Sequence, residues 1–142
     1  MSQRILIPID GSEQSGSALS YAKTLYPDAA FVLLHVLSPA NSAPHPDALI
    51  MHTEETLKAQ REQAEELFDT VRAELESDRT VKTAIETGRP ARAIVEYADD
   101  PEAEIDAIVM GSRGRDGAKR LLLGSVAETV VRRASVPVTV AR

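Results

Sequence analysis

The chain contains no cysteine. That excludes disulfides, thiol nucleophiles and cysteine-based zinc sites, and it suits a reducing compartment. No apolar run comes near the roughly 18 residues that a membrane span requires. Residues 1–9 are too short a segment, and wrongly laid out, for a secretory signal peptide. These absences predict a soluble, cytoplasmic protein with no membrane contact. Acids outnumber bases, 22 against 16, for a formal net charge of −6. A surface with that balance is not built for nucleic acid.

Several familiar signatures are also missing. There is no G-K-[S/T], so the chain carries no P-loop. No G-x-G-x-x-G follows the first strand, which argues against a dinucleotide site. No G-x-S-x-G elbow is present, and the three histidines form no triad. His35 falls inside an apolar strand pattern and reads as a core or rim residue. His45 and His52 lack a metal-site spacing. A phospho-acceptor receiver domain would need an acidic pair after strand one and an aspartate after strand three. Strand three instead ends Ile85-Glu-Thr-Gly88.

What is present is an alternation of apolar runs and helical patterns. A chain of 142 residues is about one domain. Its length lets it bury roughly two thirds of its unfolded surface without staples. Strands are predicted at 4–9, 30–36, 80–85, 104–110 and 136–140. Helices are predicted at 15–26, 49–77, 88–98 and 126–133. A proline-rich loop fills 38–48. Proline suits a helix start, so Gly88-Arg-Pro90 opens the third helix. Asp99-Asp100-Pro101 ends it. Strands separated by helices run parallel and are covered on both faces, and continuous apolar runs agree with that. The fold class is a doubly wound α/β domain, with no internal repeat and no second domain.

The chemistry concentrates at two carboxyl ends. After strand one comes Pro8-Ile9-Asp10-Gly11-Ser12. After strand four comes Gly111-Ser-Arg113-Gly114, nine residues, then Gly124-Ser125. Glycines let a backbone approach a ligand, and the first N–H groups of a helix attract anions. The glycine loop also gathers Arg113, Arg115, Lys119 and Arg120 against the single acid Asp116. An otherwise acidic chain thus places its basic cluster where a phosphate would sit. Ligands of such folds bind beyond the strand ends, where the strand order reverses. Asp10 has two readings: a ligand contact for ribose, base or a phosphate-bound metal, or a cap of the next helix together with Ser12. Ser125 with Glu128 reads as a capping box, which leaves backbone N–H groups free for phosphate.

These residues resemble the universal stress protein family along the whole chain. The resemblance lies in Ile5-Leu-Ile-Pro-Ile-Asp10-Gly-Ser12, Leu33-Leu-His-Val36, Gly88-Arg-Pro90, Ile108-Val-Met-Gly111-Ser-Arg-Gly114, Leu121-Leu-Leu-Gly124-Ser125-Val126-Ala-Glu128 and Val136-Pro-Val-Thr-Val140. The spacing Gly-x2-Gly-x9-Gly-Ser marks that family's ATP-binding branch. The resemblance implies a five-stranded parallel sheet ordered 3-2-1-4-5, of the adenine nucleotide alpha hydrolase-like type. It implies ATP, or AMP or ADP, with Mg²⁺ or Mn²⁺ held through the phosphates. It implies a homodimer paired through the last strand, Val136 to Val140. Carried over, Pro8, Ile9 and Asp10 line the adenosine end and Val36 packs near adenine. Met110 and Gly111 meet the ribose and α-phosphate. Gly114, Gly124, Ser125 and Val126 surround the phosphates, and Arg113 contributes by charge and position. The expected function is a dimeric, nucleotide-dependent regulatory module that acts in stress response through further protein partners. A slow ATPase and a nucleotide-free interaction dimer are the alternatives. With no assigned base and no phosphate-loop lysine, rapid hydrolysis is not expected.

Overall fold

The computed structural model describes residues 3–37, 54–112 and 123–142. The first strand, β1 (Arg4–Pro8), leads to helix α1 (Glu13–Leu25) and strand β2 (Ala30–Leu37). Helix α2 (Glu54–Ala73) follows, then β3 (Val81–Thr87) and α3 (Pro90–Asp99). A 3-10 turn, Pro101–Ala103, precedes β4 (Ala107–Gly111), and α4 (Ser125–Arg133) precedes β5 (Val138–Ala141). The proline-rich loop and the start of the long helix expected from residue 49 lie outside the described residues.

All sheet pairings are parallel, in the order β3-β2-β1-β4-β5. Side chains alternate across the pleat, so each strand feeds two cores. Ile5, Ile7, Phe31, Leu33 and Val109 face one way, with Ala18, Leu19 and Ala22 of α1 and Phe68 and Val71 of α2. Leu6, Val32, Leu34, Ile108 and Met110 face the other way, with Ile94 and Ala98 of α3 and Ala127 and Val130 of α4. The sheet is therefore covered on both sides, as continuous apolar strands require.

Element ends differ from the sequence reading for local reasons. Helix α1 begins at Glu13 because Ser12 caps it, its Oγ accepting the Ser15 N–H at 3.2 Å. Helix α2 stops at Ala73, short of residue 77. Its last turn tightens, with Glu74 N–H on the Val71 carbonyl and Leu75 N–H on the Arg72 carbonyl, both at 3.0 Å. Leu75 keeps the apolar spacing because it is buried from that turn. Before β4, Glu104 turns left-handed at φ 54, so the strand proper starts only at Ala107.

One buried anchor had no sequence signal. The Arg79 side chain is 5% exposed, and its guanidinium lies 4.2 Å from the centre of the Phe31 ring. It donates to the carbonyls of Tyr26, Ala29 and Pro27 at 3.1, 2.7 and 2.9 Å, and to Glu76 Oε2 at 2.9 Å. One side chain thereby donates to three carbonyls of the turn between α1 and β2. That cation locks the α1–β2 turn to the segment before β3.

Candidate functional site

Pro8 shapes the opening of the site. N–H groups alternate sides along a strand. The Ile9 N–H points to β2, where it meets the Leu34 carbonyl at 2.8 Å. Position 8 therefore faces β4, and proline has no donor to offer there. The β1–β2 register runs through Pro8, whereas β1 pairs with β4 only at Ile5 and Leu6. The ladder stops at the point where the strand order reverses, and a cavity opens beyond it.

The turn after β1 is tightly specified. Gly11 sits at φ +85, a conformation that favours glycine. Asp10 Oδ1 accepts the Ser12 N–H at 2.9 Å. Of the two readings of Asp10, the helix cap belongs to Ser12. Asp10 holds the turn and stays exposed at the cavity rim.

The second strand end is pinned from both sides. Ser112 donates its N–H to the Ala141 carbonyl at 2.9 Å, and its own carbonyl accepts the Gly124 N–H at 2.8 Å. This pair closes the base of the glycine loop against β5. Arg113, Gly114 and the rest of the basic cluster lie outside the described residues. Gly111 is where α1 comes closest. A Cβ built there would stand 2.7 Å from both the carbonyl oxygen and the Cβ of Gln14.

The expected capping box at Ser125 is not formed. Gly124 is the cap residue, at φ −66 and ψ 163, and Ser125 is the first helical residue. Glu128 turns away to pair with Arg132, one helical turn on, at 2.6 Å. The i,i+4 ion pair competes for the glutamate, and the cap position falls on a residue without a side chain. Among the described residues, no side-chain oxygen of the cap position therefore meets the first N–H groups of α4. An uncapped terminus with its dipole toward a cavity is more available to an anion than a capped one.

Both strand ends, the start of α4 and the start of α3 line one cavity of about 550 Å³. Pro8, Ile9, Asp10, Val36, Met110, Gly111, Gly124, Ser125 and Val126 all line it, so nine of the eleven sequence candidates share this space. The other two, Arg113 and Gly114, fall in the undescribed loop. Gln14, Ser15 and Ser112 add polar groups that the sequence reading did not select. Leu34, Pro90, Ile94 and Ala127 extend an apolar wall. Ile94 and Ala127 carry ordinary helix-core spacing, which conceals such a role, and the sequence presents Pro90 as a helix start. Gly88, at φ +138, donates its N–H to the Leu37 carbonyl at 2.9 Å and so brings α3 over this wall.

The walls are apolar toward α3 and polar toward α1 and the glycine loop. That division suits a ligand with a flat apolar part and an anionic part. Among the described residues, no cluster of three or more His, Asp or Glu could hold a metal ion. A cation here would be held chiefly by the ligand, with Asp10 the carboxylate at the rim. The pKa of Glu76 is lowered by its hydrogen bond from Arg79, that of Arg92 is raised by its bond to Glu96, and that of Tyr97 is raised by burial. No described helix is long and apolar enough to cross a membrane.

The described residues form a doubly wound α/β fold with a cavity at its switch point and a helix terminus beside it. The chain belongs to the universal stress protein family, whose model matches residues 1–142. Universal stress protein MJ0531 of Methanocaldococcus jannaschii is 34% identical over 99% of this chain and 82% of its own length. The solved structure of MJ0577, from the same organism, superimposes with a TM-score of 0.82 at 32% identity, over 99% of this chain and 96% of that one. Universal stress protein UspA from Lactobacillus plantarum does so with a TM-score of 0.78 at 30% identity, over 99% and 97%. Two more distant proteins of the same fold were solved as a complex with cAMP and, from Arabidopsis thaliana, with AMP bound, at 24% and 16% identity.

Proposed function

We propose that this chain binds ATP, with Mg²⁺ or Mn²⁺ carried on the phosphates, and works as a nucleotide-dependent regulatory module. The carrying observation is the convergence of Asp10, Gly111 and the bare Gly124–Ser125 terminus on one cavity with an apolar wall. Adenine belongs against Val36, Leu34 and Ile94. Ribose belongs near Asp10 and Met110. The phosphates belong at the start of α4, where the helix dipole and the first backbone N–H groups stabilise negative charge. Arg113 and Gly114 lie outside the described residues; Arg113 is assigned a part in this anion site by its charge and Gly114 a part by its residue type. The adenine preference rests on these residues; the distant nucleotide complexes are likenesses of fold alone.

The same reading takes β5 as the strand through which two copies pair. The sheet has two edges, and they differ in chemistry. The edge strand β3 carries exposed Lys82 and Glu86, charges that blunt unwanted pairing. The edge strand β5, Val138-Thr-Val-Ala141, carries no charge. An uncharged, partly exposed edge favours a second copy. A thermal melt tests the nucleotide reading quickly. A ligand that binds only the folded state raises stability by RT ln(1 + [L]/Kd), about 2.7 kcal/mol at a hundredfold excess over Kd. Millimolar ATP–Mg²⁺ should raise the melting temperature accordingly, and an unchanged melt would favour a nucleotide-free interaction protein.

A further inference from the structure

We propose that His35 is a positioning residue for the cavity. It acts from the opposite face of the sheet by holding the Ile9 carbonyl and so aiming Asp10. The inference rests on the nucleotide reading above. His35 Nδ1 lies 2.7 Å from the Ile9 carbonyl oxygen. A carbonyl only accepts, so Nδ1 carries the proton. In a continued parallel ladder, the Ile9 carbonyl would meet the backbone of β2 at Val36. The chain instead leaves the sheet after Ile9, and the imidazole takes that carbonyl. The Ile9 N–H is held as well, by the Leu34 carbonyl at 2.8 Å. Both polar groups of the residue before Asp10 are therefore fixed from β2. Beyond it, Gly11 at φ +85 and the 2.9 Å bond from Ser12 N–H to Asp10 Oδ1 complete the turn.

His35 alternates with Val36 along β2, so it lies across the sheet from a cavity-lining residue. It shares its face with Phe31 and Leu33 and is absent from the cavity lining. A supporting group that locks the orientation of a site residue affects binding without touching the ligand. Its loss loosens Asp10 while leaving β1, whose register with β2 runs from Arg4 to Pro8, in place.

The test uses the full chain and three proteins: wild type, His35→Phe and His35→Asn. Phenylalanine keeps a ring and removes the donor. Asparagine places an amide N–H near the position of Nδ1. ATP–Mg²⁺ affinity is measured by titration calorimetry, the melting temperature without nucleotide by scanning calorimetry, and amide exchange of residues 9–12 by NMR. The expected result is affinity weakened about tenfold in His35→Phe and restored to within about threefold in His35→Asn. Exchange at Gly11 and Ser12 should rise in His35→Phe alone. Wild-type affinity in a folded His35→Phe protein overturns the assignment and leaves the nucleotide reading standing. If His35→Phe does not fold, a folded His35→Asn protein that binds weakly also overturns it, because the donor is then not what matters. Wild type that takes up no nucleotide overturns the cavity reading, and this assignment with it.

Discussion

Gly111, at the end of β4, and Gln14, in the first turn of α1, meet backbone against backbone. A single added carbon on Gly111 would lie 2.7 Å from the Gln14 carbonyl oxygen. The glycine that the sequence offers as a phosphate contact is thus also the residue that lets α1 pack onto β4. Gly111→Ala should cost about 1–3 kcal/mol through overpacking, read from urea denaturation. Unchanged stability would mean that α1 can shift away without loss.

Arg79 carries more of the fold than its place in the polar stretch Ser77-Asp-Arg-Thr80 suggests. Arg79→Ala removes the guanidinium donor from the carbonyls of residues 26, 27 and 29, leaving Tyr26 with only the Ala29 N–H, and takes the cation from the Phe31 ring. The expected loss is about 3 kcal/mol in chemical denaturation. Arg79→Lys should lose most of that too, because an ammonium cannot span the same carbonyls. A loss under about 0.5 kcal/mol, the range of ordinary surface changes, would contradict the anchor.

Glu76 gives this anchor a pH dependence. Its hydrogen bond from Arg79 holds the carboxyl below the ordinary range. A carboxylate lowered in the folded state contributes stability above its unfolded pKa and loses it as pH falls through the folded pKa. Stability measured across the acid range should therefore fall less steeply in Glu76→Gln than in wild type. An identical slope in the two proteins would remove Glu76 from the account.

Gly16 stands at the end of the first turn of α1, with open space where a side chain would go. Gly16→Ala should stabilise by roughly 0.5–1 kcal/mol, since glycine in a helix interior pays backbone entropy that alanine does not. The melting temperature should rise by roughly 2–4 °C. A fall would show that the exposed position is needed open.

The uncharged edge of β5 predicts self-association. Val138→Glu should shift the sedimentation coefficient toward that of a single chain, because charge on an edge strand opposes pairing. An unchanged distribution would remove β5 as the pairing strand.

Much of this architecture was legible in the sequence, and the exceptions have local causes. The parallel doubly wound class follows from apolar runs separated by helical patterns. The sheet order 3-2-1-4-5 came from the family resemblance, because periodicity says nothing about which strands are neighbours. Boundaries shifted wherever a cap or turn overrode spacing, as at Ser12, Ala73 and Glu104. Ser125 and Glu128 fit a capping box in sequence, but Gly124 caps α4 and Arg132 takes the glutamate in space. Arg79 was invisible because its carbonyl partners lie about 50 residues away. Gln14 and Ser112 carry no site signal in sequence, because neither residue type marks a site until the fold brings the two strand ends together.

The most direct test of the account is calorimetric titration of nucleotide-stripped wild type and Gly124→Asp with ATP–Mg²⁺. Gly124 has φ −66 and ψ 163, a conformation that aspartate adopts readily, and aspartate is a favoured helix cap. The variant should fold at least as stably as wild type while placing a carboxylate where a phosphate belongs. The expected result is about one ATP per wild-type chain and no measurable uptake by the folded variant. Equal binding by the two proteins, or no binding by wild type, would contradict a phosphate site at the start of α4.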